Sequence, residues 1–231
     1  DPGDPETTPT PTPDPGDPEA TPTPDPENSD AELPDPVVDQ VISEIINAED
    51  GAQIVVSMDD STVISSEILE AAKGKNVELV LNMGSYQWII KGTDIAASVL
   101  QDINMTVEFG TDNIPQNILA QISGGKPVYQ ISLEHEGDFG FRAELSFHID
   151  AEYAGKIGNL FYYDSDGKLI YIDAGRIGTD GEISLTFSHA SDYAVVISEE
   201  QMNSSQSDRN EGDGNDQKTN SKDGDAKQSG G

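Results

Sequence analysis

Residues 157–197, IGNLFYYDSDGKLIYIDAGRIGTDGEISLTFSHASDYAVVI, decide the fold of this chain. Apolar runs at 160–163, 169–173, 183–187 and 193–197 predict four strands in meander order. An Asp-Gly pair between the first two runs is a strong hairpin signal, and a second Asp-Gly pair opens the third run. That third run alternates apolar and polar residues, which is the period of a half-buried strand. The segment therefore predicts a sheet whose last strand is 193–197.

The two ends of the 231-residue chain differ from its middle. Residues 1–36 hold 12 of the 14 prolines and 11 acidic residues, without Lys or Arg, and their Thr-Pro repeats favour extended backbone. Residues 203–231 carry Ala226 as their only apolar side chain apart from glycines. We therefore expect a Pro/Thr/Asp-rich extended linker over 1–36, one globular module over 37–202, and a polar tail over 203–231, with both flanks disordered.

Charge and composition exclude several classes of function. A net charge of −32 argues against nucleic-acid partners and anionic membrane surfaces, which both need clustered Lys or Arg. The absence of cysteine removes disulfides, thiol catalysis and zinc–thiolate sites. No run reaches the roughly 20 apolar residues that a membrane-spanning helix needs. We expect no membrane insertion and no cofactor.

The chain has the appearance of a piece of a longer protein. It contains no initiator Met, signal peptide or sorting motif in the sequence as given. We expect a monomeric module that is carried, with its linkers, inside a larger extracellular protein.

The middle of the chain is mainly β with short helices. Apolar spacing predicts helices at 37–48, 61–73 and 115–122, and we also assign the ambiguous run 95–100 to a helix. Further strands are predicted at 54–57, 77–83, 86–90, 103–109, 129–133 and 139–149. About ten strands with Gly-rich turns favour an α+β module built on an antiparallel β-sandwich. The side chains predicted to be buried are Phe141, Leu145, Phe147, Leu185, Phe187 and Val195.

Two segments carry a resemblance to a known group of modules. Residues 68–91, ILEAAKGKNVELVLNMGSYQWIIK, and the phrases YAGKIGNLFYY, DGKL, TDG and SHASDYAVV within 153–197 resemble uncharacterised β-rich modules of Gram-positive, clostridial-type cell-surface and adhesin-like proteins. Such modules often lie beside Thr-Pro linkers, as this one does. The resemblance implies a bacterial cell-surface location and an architecture. It carries no catalytic residues, because the matching motifs are turn and core residues.

One triplet has the spacing of a self-cleaving site. His189-Ala190-Ser191 lies where the predicted third strand turns into the last one. Some surface β-domains cleave themselves at a His-x-Ser turn, where the histidine acts as base and the hydroxyl attacks the preceding peptide. The alternative is that Ser191 satisfies turn amides and His189 ends a strand.

Two pairs of residues are candidate metal ligands. Asp164 and Asp166 resemble the start of a calcium loop, but the later ligands of such a loop are missing, so a plain hairpin turn is the alternative. His148 and Asp150 share one face of a predicted strand and could contact a metal.

Aromatic side chains are the candidates for ligand binding. Trp88 with Tyr86, or Tyr162 with Tyr171, would form a sugar-binding platform if exposed, whereas core packing is the alternative. The sequence therefore favours a non-catalytic structural or interaction module with an unknown protein or glycan ligand. A carbohydrate-binding adhesin domain and a self-cleaving β-domain are the alternatives.

Overall fold

A computed structural model of the protein describes residues 30–202. The predicted tail 203–231 and most of the predicted linker 1–36 lie outside the described residues. Residues 30–36 are described, and they belong to the fold. Leu33 is buried in the main core, and the amides of Thr62 and Val63 both donate to the Ala31 carbonyl. The folded part therefore begins earlier than the predicted boundary at residue 37.

The described chain contains three helices and ten strands. The helices are α1 (Asp35–Asn47), α2 (Ser66–Ala72) and α3 (Gln116–Ser123). The strands are β1 (Ala52–Ser57), β2 (Val63–Ile64), β3 (Val77–Asn82), β4 (Gln87–Lys91), β5 (Ile103–Asn104), β6 (Val107–Phe109), β7 (Val128–His148), β8 (Ile157–Tyr163), β9 (Leu169–Arg176) and β10 (Glu182–Ser198). The predicted β-rich α+β class is confirmed. None of the helices within residues 30–202 has the length and apolar character needed to cross a membrane.

Eight strands form one mixed sheet. Its order is β1-β3-β4-β7-β10-β8-β9, with β6 also paired to β7, while β2 and β5 form a separate pair. All neighbours in the large sheet are antiparallel except β1 and β3, so a wholly antiparallel sheet is not confirmed. A parallel pair needs a crossover, and α2 lies in the connection between these two strands.

The predicted four-stranded meander is wrong in two respects. The third and fourth predicted strands are one strand, β10, of 17 residues. β10 also lies between β7 and β8 instead of following β9 at the edge. In the same way, the strands predicted at 129–133 and 139–149 join into the 21-residue strand β7. Each long strand continues through register shifts that the sequence pattern alone does not reveal.

The two long strands join two halves of the sheet. Residues 143–148 of β7 pair with residues 182–187 of β10 and, in part, with β4. Residues 128–132 of β7 pair with residues 192–196 of β10, and β6 and β8 extend that half. Strands that bend at bulges and pass from one layer to the next make the corners of curled sheets. The predicted two-sheet sandwich is not confirmed, because eight of the ten described strands form one continuous curled sheet.

Two apolar cores lie on the two faces of this sheet. The larger core contains inward side chains of β7 and β10 together with α1 and α2. The smaller core packs α3 and Met202 against Phe161, Ala194 and Val196. The six side chains predicted to be buried are all buried, and they belong to the larger core: Phe141, Leu145, Phe147, Leu185, Phe187 and Val195.

The predicted helix at 95–100 is wrong. After a single 3-10 turn at Gly92–Asp94, the chain leaves helical geometry, and Ile95 has extended backbone angles. The amides of Ala96 and Ala97 donate to the carbonyl of Gly140 in β7. Hydrogen bonds to a distant strand therefore hold these residues outside a helix.

Candidate functional site

The triplet His189-Ala190-Ser191 lies inside β10, at the bend between the two halves of the sheet. His189 pairs with Asp138 and Ala190 pairs with Gly137, with register shifts on both sides of these two pairs. The predicted turn at this position is therefore wrong, because the strand continues through a double bulge. Asp59 is the only non-glycine residue with a positive φ in the described part of the chain, so no such strain is stored in the triplet.

The His189 imidazole packs against aromatic rings. Its centroid lies 4.5 Å from that of Tyr162, with the rings nearly perpendicular, and 5.7 Å from that of Tyr193. Its Nδ1 lies 3.4 Å from the Ser188 hydroxyl. Burial lowers the pKa of His189, and the negative charge of Asp138 opposes this shift in part. The surroundings of the imidazole therefore favour its neutral form.

The hydroxyl groups of the bend also bind backbone carbonyls. Ser191 Oγ donates to the Tyr163 carbonyl in β8 at 3.3 Å, and the Tyr193 hydroxyl donates to the His189 carbonyl at 2.6 Å. Burial raises the pKa of Tyr193, so this donor keeps its proton. A self-cleaving site requires the serine hydroxyl to reach the imidazole. The contacts of Ser191 and His189 instead connect each of them to β8.

The first aromatic candidate pair lies in the core. Trp88 is fully buried, and its Nε1 donates to the Met105 carbonyl at 2.9 Å. Its ring packs perpendicular to the ring of Phe187, with the centroids 5.6 Å apart. Tyr86 is half-buried, and its hydroxyl accepts from the Val107 amide. Trp88 therefore shows the core packing that was the alternative to an exposed platform, because its side chain is not accessible to solvent.

The second aromatic pair is divided between the two faces of the sheet. Tyr162 belongs to the face of the larger core, whereas Tyr171 packs with the smaller core, 5.7 Å from the ring of Phe161. The Tyr171 hydroxyl accepts from Gln201 Nε2 at 2.7 Å. Since the two tyrosines point to opposite faces, they form no common platform. Tyr162 is the member that lies beside the bend.

Two of the candidate metal ligands, Asp164 and Asp150, accept hydrogen bonds from backbone amides close to them in the chain. Asp164 Oδ1 accepts from the amides of Asp166 and Lys168, which closes the hairpin turn. The Asp150 carboxylate accepts from a backbone amide two residues later, and His148 is exposed at the end of β7. Among residues 30–202, no group of three or more His, Cys, Asp or Glu is placed to hold a metal ion.

An acidic cleft that the sequence did not reveal lies where α1 and α2 begin. Its volume is about 460 Å³. Five carboxylates line it: Glu32, Asp35, Asp39, Glu67 and Asp102. The Asp102 carboxylate also accepts from the Ser66 amide at 2.7 Å, a contact across 36 residues of sequence. The acids of the two helix starts are visible in the sequence, but the contact that brings Asp102 to them is not.

A second feature missed from the sequence is the fully buried amide of Asn159 in β8. Its Nδ2 donates to the Val196 carbonyl and to the Ser198 hydroxyl, at 3.1 and 2.9 Å. Its Oδ1 accepts from the Met202 amide at 2.7 Å. The side chain therefore holds the end of β10 and the residues that follow it. A polar residue within the apolar run of β8 was the only signal.

The chain matched no protein-family model, no curated protein and no solved structure. The resemblance to Gram-positive surface modules therefore stays a prediction. The fold defines a β-rich α+β module with one large curled mixed sheet, and the two candidate catalytic residues, His189 and Ser191, lie at the bend of that sheet.

Proposed function

We propose that this chain is a non-catalytic structural module of a bacterial cell-surface protein. The observation that supports this proposal is the geometry of the bend, where the Ser191 hydroxyl and the His189 imidazole bind separate neighbours on β8. Both side chains stabilise the corner of the sheet. Because both residues have this structural role, a catalytic role is not needed to explain why they are present.

The attachment of both flanking segments supports a module that lies in series with linkers. At the start of the described chain, Asn104 Nδ2 donates to the Asp30 carboxylate at 2.7 Å. At its end, Asn159 accepts from the Met202 amide, and the Met202 side chain is buried. Each flank of the chain therefore leaves the module from a residue that is bonded to the fold. This arrangement suits a module in which the first and the last described residues are both held by the fold.

The surface location rests on the Thr-Pro linker, the acidic composition and the resemblance to Gram-positive modules. It is tested with an antibody against the folded part on intact source cells, by flow cytometry without permeabilisation. We expect labelling of intact cells that is lost after mild surface proteolysis. A cytoplasmic protein serves as the control that must stay unlabelled. Labelling that requires cell lysis would contradict the proposed location.

A carbohydrate-binding role is the second candidate, and one observation favours it. Tyr162 is half-buried and pairs across the sheet with Ile170, which is 43% exposed on the edge strand β9. If this surface binds a glycan, binding on a glycan array is lost in Tyr162→Ala and kept in Tyr171→Ala, because Tyr171 lies on the other face. An array without signal, or equal loss in both variants, counts against this role.

A further inference from the structure

The bend is the part of the large sheet where β7 and β10 are paired least. Between the two register shifts, only the pairs His189–Asp138 and Ala190–Gly137 join these strands. The stretches on either side are longer ladders of six and five pairs. A short ladder between two irregularities opens at a lower free energy than the ladders that flank it. The bend is therefore the natural position for a local opening of the sheet.

His189 is enclosed at this position by groups from three strands. From β8, the ring of Tyr162 lies 4.5 Å away. From β7, Asp138 is the ladder partner and the nearby negative charge. From β10 itself, Ser188 and Tyr193 contact the imidazole. If the imidazole were protonated in the closed bend, its positive charge would be partly shielded from water. The opposing charge beside it would be the carboxylate of Asp138, which is itself exposed to solvent.

We propose that the bend between the two halves of the sheet opens more readily in acid, and that His189 is the group that takes up the proton. In the open bend the imidazole is in water and titrates near its ordinary pKa of about 6.5. In the closed bend, burial holds the pKa lower, although Asp138 opposes this shift. The open state therefore binds the proton more strongly. The open fraction rises as the pH falls below about 6.5, and levels off below the closed-state pKa.

Amide hydrogen exchange on the full chain measures this opening directly. Protection factors of the Ala190 and Ser191 amides are compared at about pH 7.5 and pH 5, on the two sides of the ordinary histidine pKa. We expect protection to fall in acid for the wild type, by up to tenfold for each pH unit between the two pKa values. In His189→Gln the fall is absent at these amides. His148→Gln is the matched control, since His148 is exposed at the end of β7, and it behaves as the wild type.

A second measurement keeps the proposal testable if His189→Gln does not fold. The chain contains three histidines, so the His189 ring protons are followed by NMR in the wild type alone. The proposal predicts a His189 pKa below about 6.5. A pKa at or above that value, or an equal loss of protection in the wild type and in His189→Gln, would overturn it.

Discussion

The ring of Phe109 lies 5.2 Å from the ring of Phe147, although the two residues belong to opposite halves of the sheet. Phe109 pairs with Ile131 of β7, and Phe147 lies 16 residues further along that same strand. In a straight strand of about 3.3 Å per residue, they would be separated by roughly 50 Å. The contact therefore shows how strongly the bend curls the sheet around its core.

Phe147→Ala should destabilise the protein by about 3–5 kcal/mol, because it removes a buried ring and leaves a cavity between the two halves. Urea denaturation followed by circular dichroism measures the change in unfolding free energy. Val99→Ala is the control, since Val99 is 82% exposed and its truncation should cost less than about 0.5 kcal/mol. A loss below about 1 kcal/mol for Phe147→Ala would mean that the halves do not pack there.

Gly181→Ala should destabilise the protein more than Gly51→Ala. Both glycines have positive φ, at +91° and +82°, so both alanine variants carry the backbone strain of about 1 kcal/mol. A Cβ at Gly181 would also clash with the carbonyl of Ile149, whereas a Cβ at Gly51 meets no atom within 4 Å. Because both variants carry the backbone strain, the difference between their melting temperatures measures the effect of the clash at residue 181 alone. Equal melting temperatures would contradict the close approach at the second Asp-Gly turn.

Asn159→Ala should cost at least about 2 kcal/mol, since it leaves buried donors and acceptors of β10 and of Met202 without their partner. The Met202 amide should also lose protection from hydrogen exchange. Asn47→Ala is the control, because Asn47 is exposed and bonds within its own helix. If the Met202 amide stays equally protected in Asn159→Ala, the amide of Asn159 does not hold the end of the strand.

Asp39→Asn should stabilise the protein slightly at low ionic strength. Asp39 is one of five carboxylates around the acidic cleft, and the chain carries a net charge of −32. Removing one charge lowers their mutual repulsion by a few tenths of a kcal/mol, and salt screens the same repulsion. The difference from the wild type should therefore shrink as NaCl is raised to about 1 M, where the Debye length is about 3 Å. A difference that is independent of salt would show that the effect is not electrostatic.

The sequence predicted those structural features well that are determined by a local pattern of apolar and polar side chains. The alternation of residues 183–187 identified a strand and its buried face, because burial on one side imposes a period of two. The hairpin at Asp164 was equally visible, since its carboxylate bonds to amides within four residues. Such features depend on contacts between residues close together in the chain.

The sequence failed where distant strands decide the structure. The triplet at 189–191 has the composition of a turn, yet β7 and β8 hold it in an extended strand through pairs more than 25 residues away. The acidic cleft depends on Asp102 reaching the start of α2, and the missing helix at 95–100 depends on the Gly140 carbonyl. Neither Asp102 nor Gly140 can be identified as a partner from the local sequence pattern.

The non-catalytic account is tested most directly by the intact mass of the protein under denaturing conditions. Denaturation is needed because a fragment starting at Ser191 would stay paired with β7 and β8 in the folded protein. After several days at neutral pH, we predict one species at the full mass of 24.7 kDa. Ser191→Ala should leave that mass pattern unchanged and cost about 1 kcal/mol or less, as expected for one hydrogen bond. A fragment that begins at Ser191 and disappears in Ser191→Ala would contradict the account and make His189 and Ser191 a catalytic pair.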